Sequence, residues 1–233
     1  MKVEIWSDFA CPFCYIGKRQ FEKALNEFSN KSAVQVVWKS FQLDPTMKYE
    51  PGKTMEAMLA EKKGISVEEA KRLTGHVTKA AKQVDLAYNL DKAILTNTLL
   101  AHQLSHFAAK HNLQDEAEEA LFKAYFIEGR NIGDIQTLVD IAVGLGLPEK
   151  QTRAVLETKS YVHEVKKDIE AANELGIRGV PFFVIGEKYA VSGAQPATLF
   201  KEALETAWKE TSQEQYSDLN ESATGTCAID GAC

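Results

Sequence analysis

Lys2-Val3-Glu4-Ile5-Trp6 runs through Ser7-Asp8-Phe9-Ala10 into Cys11-Pro12-Phe13-Cys14. The opening residues alternate polar and apolar as a short strand does. After the cysteines, Gly17, Phe21, Ala24, Leu25 and Phe28 recur at spacings of three and four and fall on one helix face. Ser29-Asn30-Lys31 favours a turn. Residues 34–41, rich in β-branched and aromatic side chains, read as a second strand. Strand, helix and strand in this order make a βαβ unit, whose crossover is right-handed.

From Asp44-Pro45 onward the texture changes. A turn-rich stretch through Pro51-Gly52 leads into a long region of helical periodicity with almost no strand signal. The spacing predicts helices over 54–63, 66–88, 97–111, 115–127, 134–144, 148–157 and 160–175. Ser66 with Glu69 forms a capping box, Asp134 and Pro148 are helix starts, and Gly129, Gly144, Gly146 and Gly176 sit where helices should stop. Strand character returns at Pro181-Phe182-Phe183-Val184-Ile185, and a short turn at Gly186-Glu187-Lys188 leads to Tyr189-Ala190-Val191-Ser192. Gln195-Pro196 starts a last helix with Leu199, Phe200, Ala203, Leu204 and Ala207 on its apolar face. After Glu210 the chain is polar, and it ends on a second pair, Cys227 and Cys233. The expected plan is an α/β domain (1–44 and 177–210) split by a helical insertion (45–176), with a flexible tail over 211–233.

The 233 residues include 27 Lys and Arg against 33 Asp and Glu, a net charge of −6. That balance argues against a general nucleic-acid binder, which needs clustered positive charge. No run of about 18 apolar residues suggests a membrane span. Glu4 and Asp8 interrupt any secretory core near Met1, so a cytosolic protein is expected. With only four cysteines the fold must be held by packing, and in the cytosol cysteine pairs tend to be catalytic or metal-binding.

Two cysteines three apart at a helix start lie one turn from each other, close enough to close a small disulfide ring. At the cap, unpaired backbone N–H groups and the positive end of the helix dipole favour a thiolate on Cys11. Pro12 at the first helical position sacrifices no hydrogen bond. Cys11 is then the attacking thiol, and Cys14, further into the helix, resolves the mixed disulfide. A pair of inert buried thiols is the plainer alternative, but strand, CxxC and helix in sequence is a redox context. Gly179-Val180-Pro181 precedes the third strand, where proline is tolerated as a first strand residue.

Strand, CPxC helix, strand, long helical insertion, GVP, hairpin and final helix together resemble the DsbA-like thioredoxin-fold proteins, in particular the FrnE-like branch, over about residues 2–210. The resemblance implies a thioredoxin-like fold with a helical domain inserted after the βαβ unit. It also implies Cys11 as nucleophile, Cys14 as resolving thiol and Pro181 as a cis-proline whose turn brings the Val180 backbone beside the thiols. Pro12, Phe13 and Val180 would meet the substrate, and Asn97 and His102 of the insertion would help to form its pocket. Two departures stand out: Phe13 where relatives often carry Trp, and Ile5 where many thioredoxin-fold proteins keep a buried acid. Proton handling then falls to Asp8, Glu4 or water.

Cys227 and Cys233 read either as two exposed thiols without a role or as a redox relay on a flexible arm that exchanges with the first pair, as the tail pair of some relatives implies. A zinc site made of all four thiols is disfavoured by the wide gap in the tail pair. His102 and His106 stand four apart without a third-ligand motif, so no metal is expected. The expected activity is thiol–disulfide exchange with protein or small-molecule partners, without a bound cofactor and with glutathione or thioredoxin as the electron partner. The alternative is a glutathione-dependent enzyme similar to kappa-class transferases and 2-hydroxychromene-2-carboxylate isomerases, which needs no second thiol.

Overall fold

In the computed structural model of the chain, which describes the backbone of residues 1–221 and the side chains of residues 1–211, the N-terminal alternation forms β1 (Lys2–Ser7). Helix α1 (Pro12–Glu27) follows, with Cys11 as its N-cap and Pro12 in its first turn. Strand β2 (Gln35–Ser40) lies parallel to β1, with Trp38 opposite Ile5. The other edge of β1 takes β3 (Phe182–Ile185), antiparallel, with Phe183 opposite the same Ile5. Strand β4 (Tyr189–Ser192) completes the order β2-β1-β3-β4. The turn between β3 and β4 places Gly186 and Glu187 at φ +60° and +63°, a left-handed conformation that matches the strand twist.

Between β2 and β3 come α2 (Met55–Lys63), α3 (Val67–Lys82), α4 (Leu99–Ala109), α5 (Gln114–Lys123), α6 (Ile135–Gly144), α7 (Glu149–Thr158) and α8 (Val162–Glu174). A π-helical turn over Ala124–Glu128 extends α5. Thr54, Ser66 and Asp134 cap α2, α3 and α6, each side chain accepting from a backbone amide three residues on. The mixed α/β thioredoxin fold expected from the sequence is the fold observed.

Two boundaries differ from the sequence reading by well over a turn. The helix read over 66–88 stops at Lys82, because Asp85 turns left-handed at φ +60° and folds Leu86 and Tyr88 into the core. The last helix, α9 (Ala197–Glu221), runs beyond 210 into the stretch read as tail. No Gly or Pro interrupts residues 211–221, so polarity alone does not end a helix there. Cys227 and Cys233 lie outside the described residues.

The two sheet faces are covered differently. Val3, Ile5, Phe183 and Val191 pack on Phe21 of α1, on Phe28 that caps its end, and on Phe200 and Leu204 of α9. The opposite face presents Trp6 to Ala172 of α8 and to Ile177. The Trp6 indole N–H donates to the Asp168 carbonyl of α8 at 2.9 Å. A third core joins Phe9, Cys14, Tyr15 and Ile16 to Leu104, Leu121, Phe122 and Phe126, so α1 and the inserted helices share one interior. Lys18 crosses this junction at 1% exposure, paired with Glu22, with Glu119 at 3.3 Å and with Asp115 at 3.4 Å. Among the described residues, no helix is long and apolar enough to cross a membrane.

Candidate active site

Cys11 has the extended backbone of an N-cap, φ −92° and ψ 111°. Its amide donates to the Asp8 carbonyl at 2.9 Å, which closes the turn between β1 and α1. Its thiol donates to the Val180 carbonyl at 3.4 Å, across 169 residues of sequence. The Val180–Pro181 peptide is cis. Cys14 follows in the first turn of α1, and its amide donates to the Cys11 carbonyl at 3.0 Å. Both are free thiols; Cys11 is 5% exposed and Cys14 is wholly enclosed. Burial pushes the Cys14 thiol well above its ordinary range, and the neighbouring Cys11 pushes the same way. Ser7 and the Asp8 backbone oppose the shift only in part. The pair is therefore asymmetric, with one sulfur at a helix terminus near the surface and the other a protonated thiol inside.

Close packing holds the proline loop over this pair. A Cβ on Gly17, one turn beyond Cys14, would lie 2.9 Å from Pro181 Cγ. Gly17→Ala therefore pushes Pro181 and the Val180 carbonyl off α1, at a cost of about 1–3 kcal/mol. Exchange turnover is expected to fall about tenfold, since small displacements of positioning groups are costly in rate. A variant with full activity and an unchanged urea midpoint would show that the loop has slack.

Asp8 is 1% exposed and accepts from the amides of Leu43 at 2.7 Å and Ala10 at 3.3 Å. His102 Nε2 stands 3.5 Å from its carboxylate, and the imidazole packs on Phe9 with ring centroids 4.8 Å apart. His106 turns elsewhere, to Ser40 Oγ and Asp168, each at 3.1 Å, so the two histidines of α4 engage different partners. Glu4 pairs with Lys2 at 2.8 Å and Lys39 at 3.6 Å, and Ile5 is fully enclosed in the sheet. Of the three proton-handling candidates, Asp8 is the one built into the β1–α1 turn that carries Cys11.

Pro12 and Phe13 line a cavity of about 690 Å³ between the cysteine motif and the inserted helices. Asn97 does not line it: its Nδ2 donates to the Pro45 carbonyl at 2.9 Å, tying down the loop after β2. Its neighbours Thr96 and Thr98 form the wall instead, while His102 sits behind Asp8. Tyr88 escapes the sequence reading, although its hydroxyl donates to the Pro12 carbonyl at 2.6 Å inside the motif. It lay hidden in a segment read as helix.

Glu118 is the second residue missed. It shares a face of α5 with Ala117, Leu121 and Phe122, and that sequence spacing was the available signal. Its Oε1 accepts from Ser105 Oγ at 2.7 Å, while Oε2 has no hydrogen-bond partner. Burial pushes its carboxyl up to about 8, Ser105 opposes, and Asp115 adds to the shift. The native state thus keeps a proton that the unfolded chain releases above its ordinary value near 4.5, so stability falls as pH rises from about 4.5 to 8. Glu118→Gln is expected to flatten that fall and to gain about 2–4 kcal/mol over wild type at pH 8. Denaturant midpoints between pH 5 and 8 test this; parallel curves for variant and wild type would contradict it.

Comparison with known proteins places this arrangement. The DSBA-like thioredoxin domain family matches residues 2–205. A probable DsbA oxidoreductase from Streptomyces coelicolor is 38% identical, with a TM-score of 0.85 over 100% of this chain and 96% of that one. The uncharacterized protein YwbO of Bacillus subtilis is 29% identical over 215 residues, covering 87% of this chain and 94% of YwbO. The cytosolic disulfide reductase DsbM from Pseudomonas aeruginosa, in a structure with GSH, has a TM-score of 0.61 over 90% of this chain and 100% of that one. At 15% identity this last likeness is one of fold. With the family matched across nearly its whole length and a free thiol pair at the head of its first helix, the chain belongs to the DsbA-like thioredoxin family.

Proposed function

We propose that this protein is a thiol–disulfide oxidoreductase in which Cys11 is the nucleophile, Cys14 the resolving thiol and the Val180–Pro181 loop the edge against which substrate docks. The observation that carries this reading is the Cys11 thiol at the N-cap of α1, 3.4 Å from the Val180 carbonyl, with Cys14 enclosed one turn below. In the reducing direction, the Cys11 thiolate attacks one sulfur of the substrate disulfide. The substrate S–S bond breaks, and the departing sulfur leaves as a thiolate that takes up a proton. Cys14 then gives up its proton and attacks the Cys11 sulfur, which releases the second substrate thiol. Two electrons have passed from the dithiol to the substrate, and the same steps in reverse oxidise a substrate dithiol.

Glutathione or thioredoxin, in a cytosolic setting, restores the dithiol in this proposal, and Cys227 and Cys233 exchange with the first pair. A glutathione-dependent transferase or isomerase has no use for a second thiol, whereas here Cys14 lies enclosed directly behind Cys11. The deciding measurement is the equilibrium of Cys11 and Cys14 against glutathione buffers, with Cys227 and Cys233 replaced by Ser. A potential near about −120 to −180 mV would mark an oxidising or isomerising pair, and one near about −270 mV a thioredoxin-like reductase. If no disulfide forms between Cys11 and Cys14 at any poise, the proposal fails and the glutathione-dependent reading replaces it.

A further inference from the structure

The cavity beside the cysteine motif is far larger than a disulfide requires. Its 690 Å³ falls within the size range of sites for small organic molecules. Ala10 and Pro12, on either side of Cys11, form part of its lining. Met55 and Met58 of α2, Val77 of α3, and Leu95 and Phe126 form an apolar wall. The thioether side chains let such a wall adapt to an irregular ligand. A single protein side chain would leave most of this volume empty.

The mouth is apolar as well. Phe13, Leu43 and Leu73 open onto the cavity at 45%, 48% and 40% exposure. Three large apolar side chains left in water around one opening mark a surface that a ligand covers. The charges on the rim are unequal. Lys62 is held by Asp44 at 2.5 Å. Lys63 and His76 also line the cavity, and neither has an ion-pair or hydrogen-bond partner among the described residues. The cavity thus joins an apolar interior, an edge formed by the residues that flank Cys11, and an uncommitted cation at the rim.

We propose that this cavity binds the body of a small organic disulfide that carries an aromatic or branched apolar group and a carboxylate, and that it presents the ligand's sulfur to Cys11. The inference rests on the redox reading above. The apolar group fills the wall between α2 and α3, the carboxylate meets Lys63, and the disulfide lies against the start of α1. Cys11 attacks one ligand sulfur, the ligand S–S bond breaks, and the other half leaves as a thiol. Cys14 frees the second half, and glutathione or another small thiol returns two electrons to the Cys11–Cys14 disulfide.

The test uses reduced full-length protein with Cys227 and Cys233 replaced by Ser. Single-turnover rates are measured with dithiobis-nitrobenzoate, an aryl disulfide bearing carboxylates, and with hydroxyethyl disulfide, which lacks both features. Each rate is divided by that of free dithiothreitol with the same compound, which removes intrinsic reactivity. The expected result is a normalised preference for the aryl disulfide of about tenfold or more. Ala80→Phe, which fills the cavity from α3, should remove most of that preference, and Lys63→Glu, on the exposed rim, should lower it about three- to fivefold.

Binding is read separately from Cys11→Ser protein, by displacing anilinonaphthalene sulfonate with thionitrobenzoate. A normalised preference near one, or a preference that survives both variants, overturns the proposal. Displacement of the dye more tightly by an apolar peptide than by thionitrobenzoate overturns it in favour of a polypeptide client. If neither disulfide reacts with Cys11 while thionitrobenzoate still displaces the dye, the redox reading fails and the cavity's ligand class stands.

Discussion

Cys11→Ser is expected to lower disulfide-exchange turnover by about a thousandfold or more, while Cys14→Ala stops the same reaction at a later point. The first variant removes the attacking sulfur, and a hydroxyl at the same N-cap is a far weaker nucleophile toward a disulfide. The second leaves the attack intact but removes the thiol enclosed directly behind it. The Cys11 mixed disulfide then persists, because no other cysteine among the described residues can displace it. Intact-mass measurement after mixing with an oxidised small thiol separates the two: Cys14→Ala gains one substrate half, and Cys11→Ser gains none. Cys227 and Cys233 are replaced by Ser in both variants so that the tail cannot substitute. An adduct on Cys11→Ser, or full turnover by Cys14→Ala, would reverse the assigned roles.

The largest loss of stability is expected from Phe122→Ala, at about 3–5 kcal/mol. Phe122 is wholly enclosed. Its ring stacks on Tyr15 of α1 with centroids 5.1 Å apart and an interplanar angle of 9°. It also meets Phe9 at 5.1 Å and Phe126 at 6.3 Å. One side chain of α5 thus touches the segment before Cys11 and the helix that begins with it. Removing the ring leaves a void among rings that cannot close around it, so the transfer and cavity costs add. Against a total stability of about 5–15 kcal/mol for a typical domain, that is a large share. The urea midpoint should drop sharply with little change in slope, and Phe122→Leu should lose less than half as much. A loss under about 1 kcal/mol would mean that the inserted helices are not anchored through this ring.

Strand β1, helix α1 and the hairpin were readable because each depends on near neighbours in the chain. Period-two alternation at Lys2–Trp6, Pro12 after a cap residue, and Gly186 in a tight turn are local signals. The caps at Ser66 and Asp134 were legible for the same reason. The Val180 backbone beside Cys11 was expected from the family resemblance alone. The Val180 carbonyl meets its thiol across 169 residues, and no local pattern records that contact. Tyr88 was obscured because Asp85 breaks α3 with a left-handed residue of no distinctive sequence type. Glu118 looked like one more acid in the Asp115–Glu119 run, although only the positions it shares with Ala117 and Leu121 placed it inside. The cavity was illegible for a different reason, since its walls come from the cysteine motif, α2, α3 and the segments around Leu95 and Phe126.

Strand β1 pairs with β3, and Cys11 meets Val180, only after most of the chain exists. During synthesis, at about 5–20 residues per second, Cys11 leaves the ribosome on the order of ten to thirty seconds before Val180 does. For that interval neither thiol has the proline loop above it, and Trp6 lacks the α8 carbonyl that receives its indole N–H. The two sulfurs thus meet the surrounding redox pool before the proline loop can cover them. The first thiols and disulfides that reach this pair therefore meet it without the Val180 carbonyl in place.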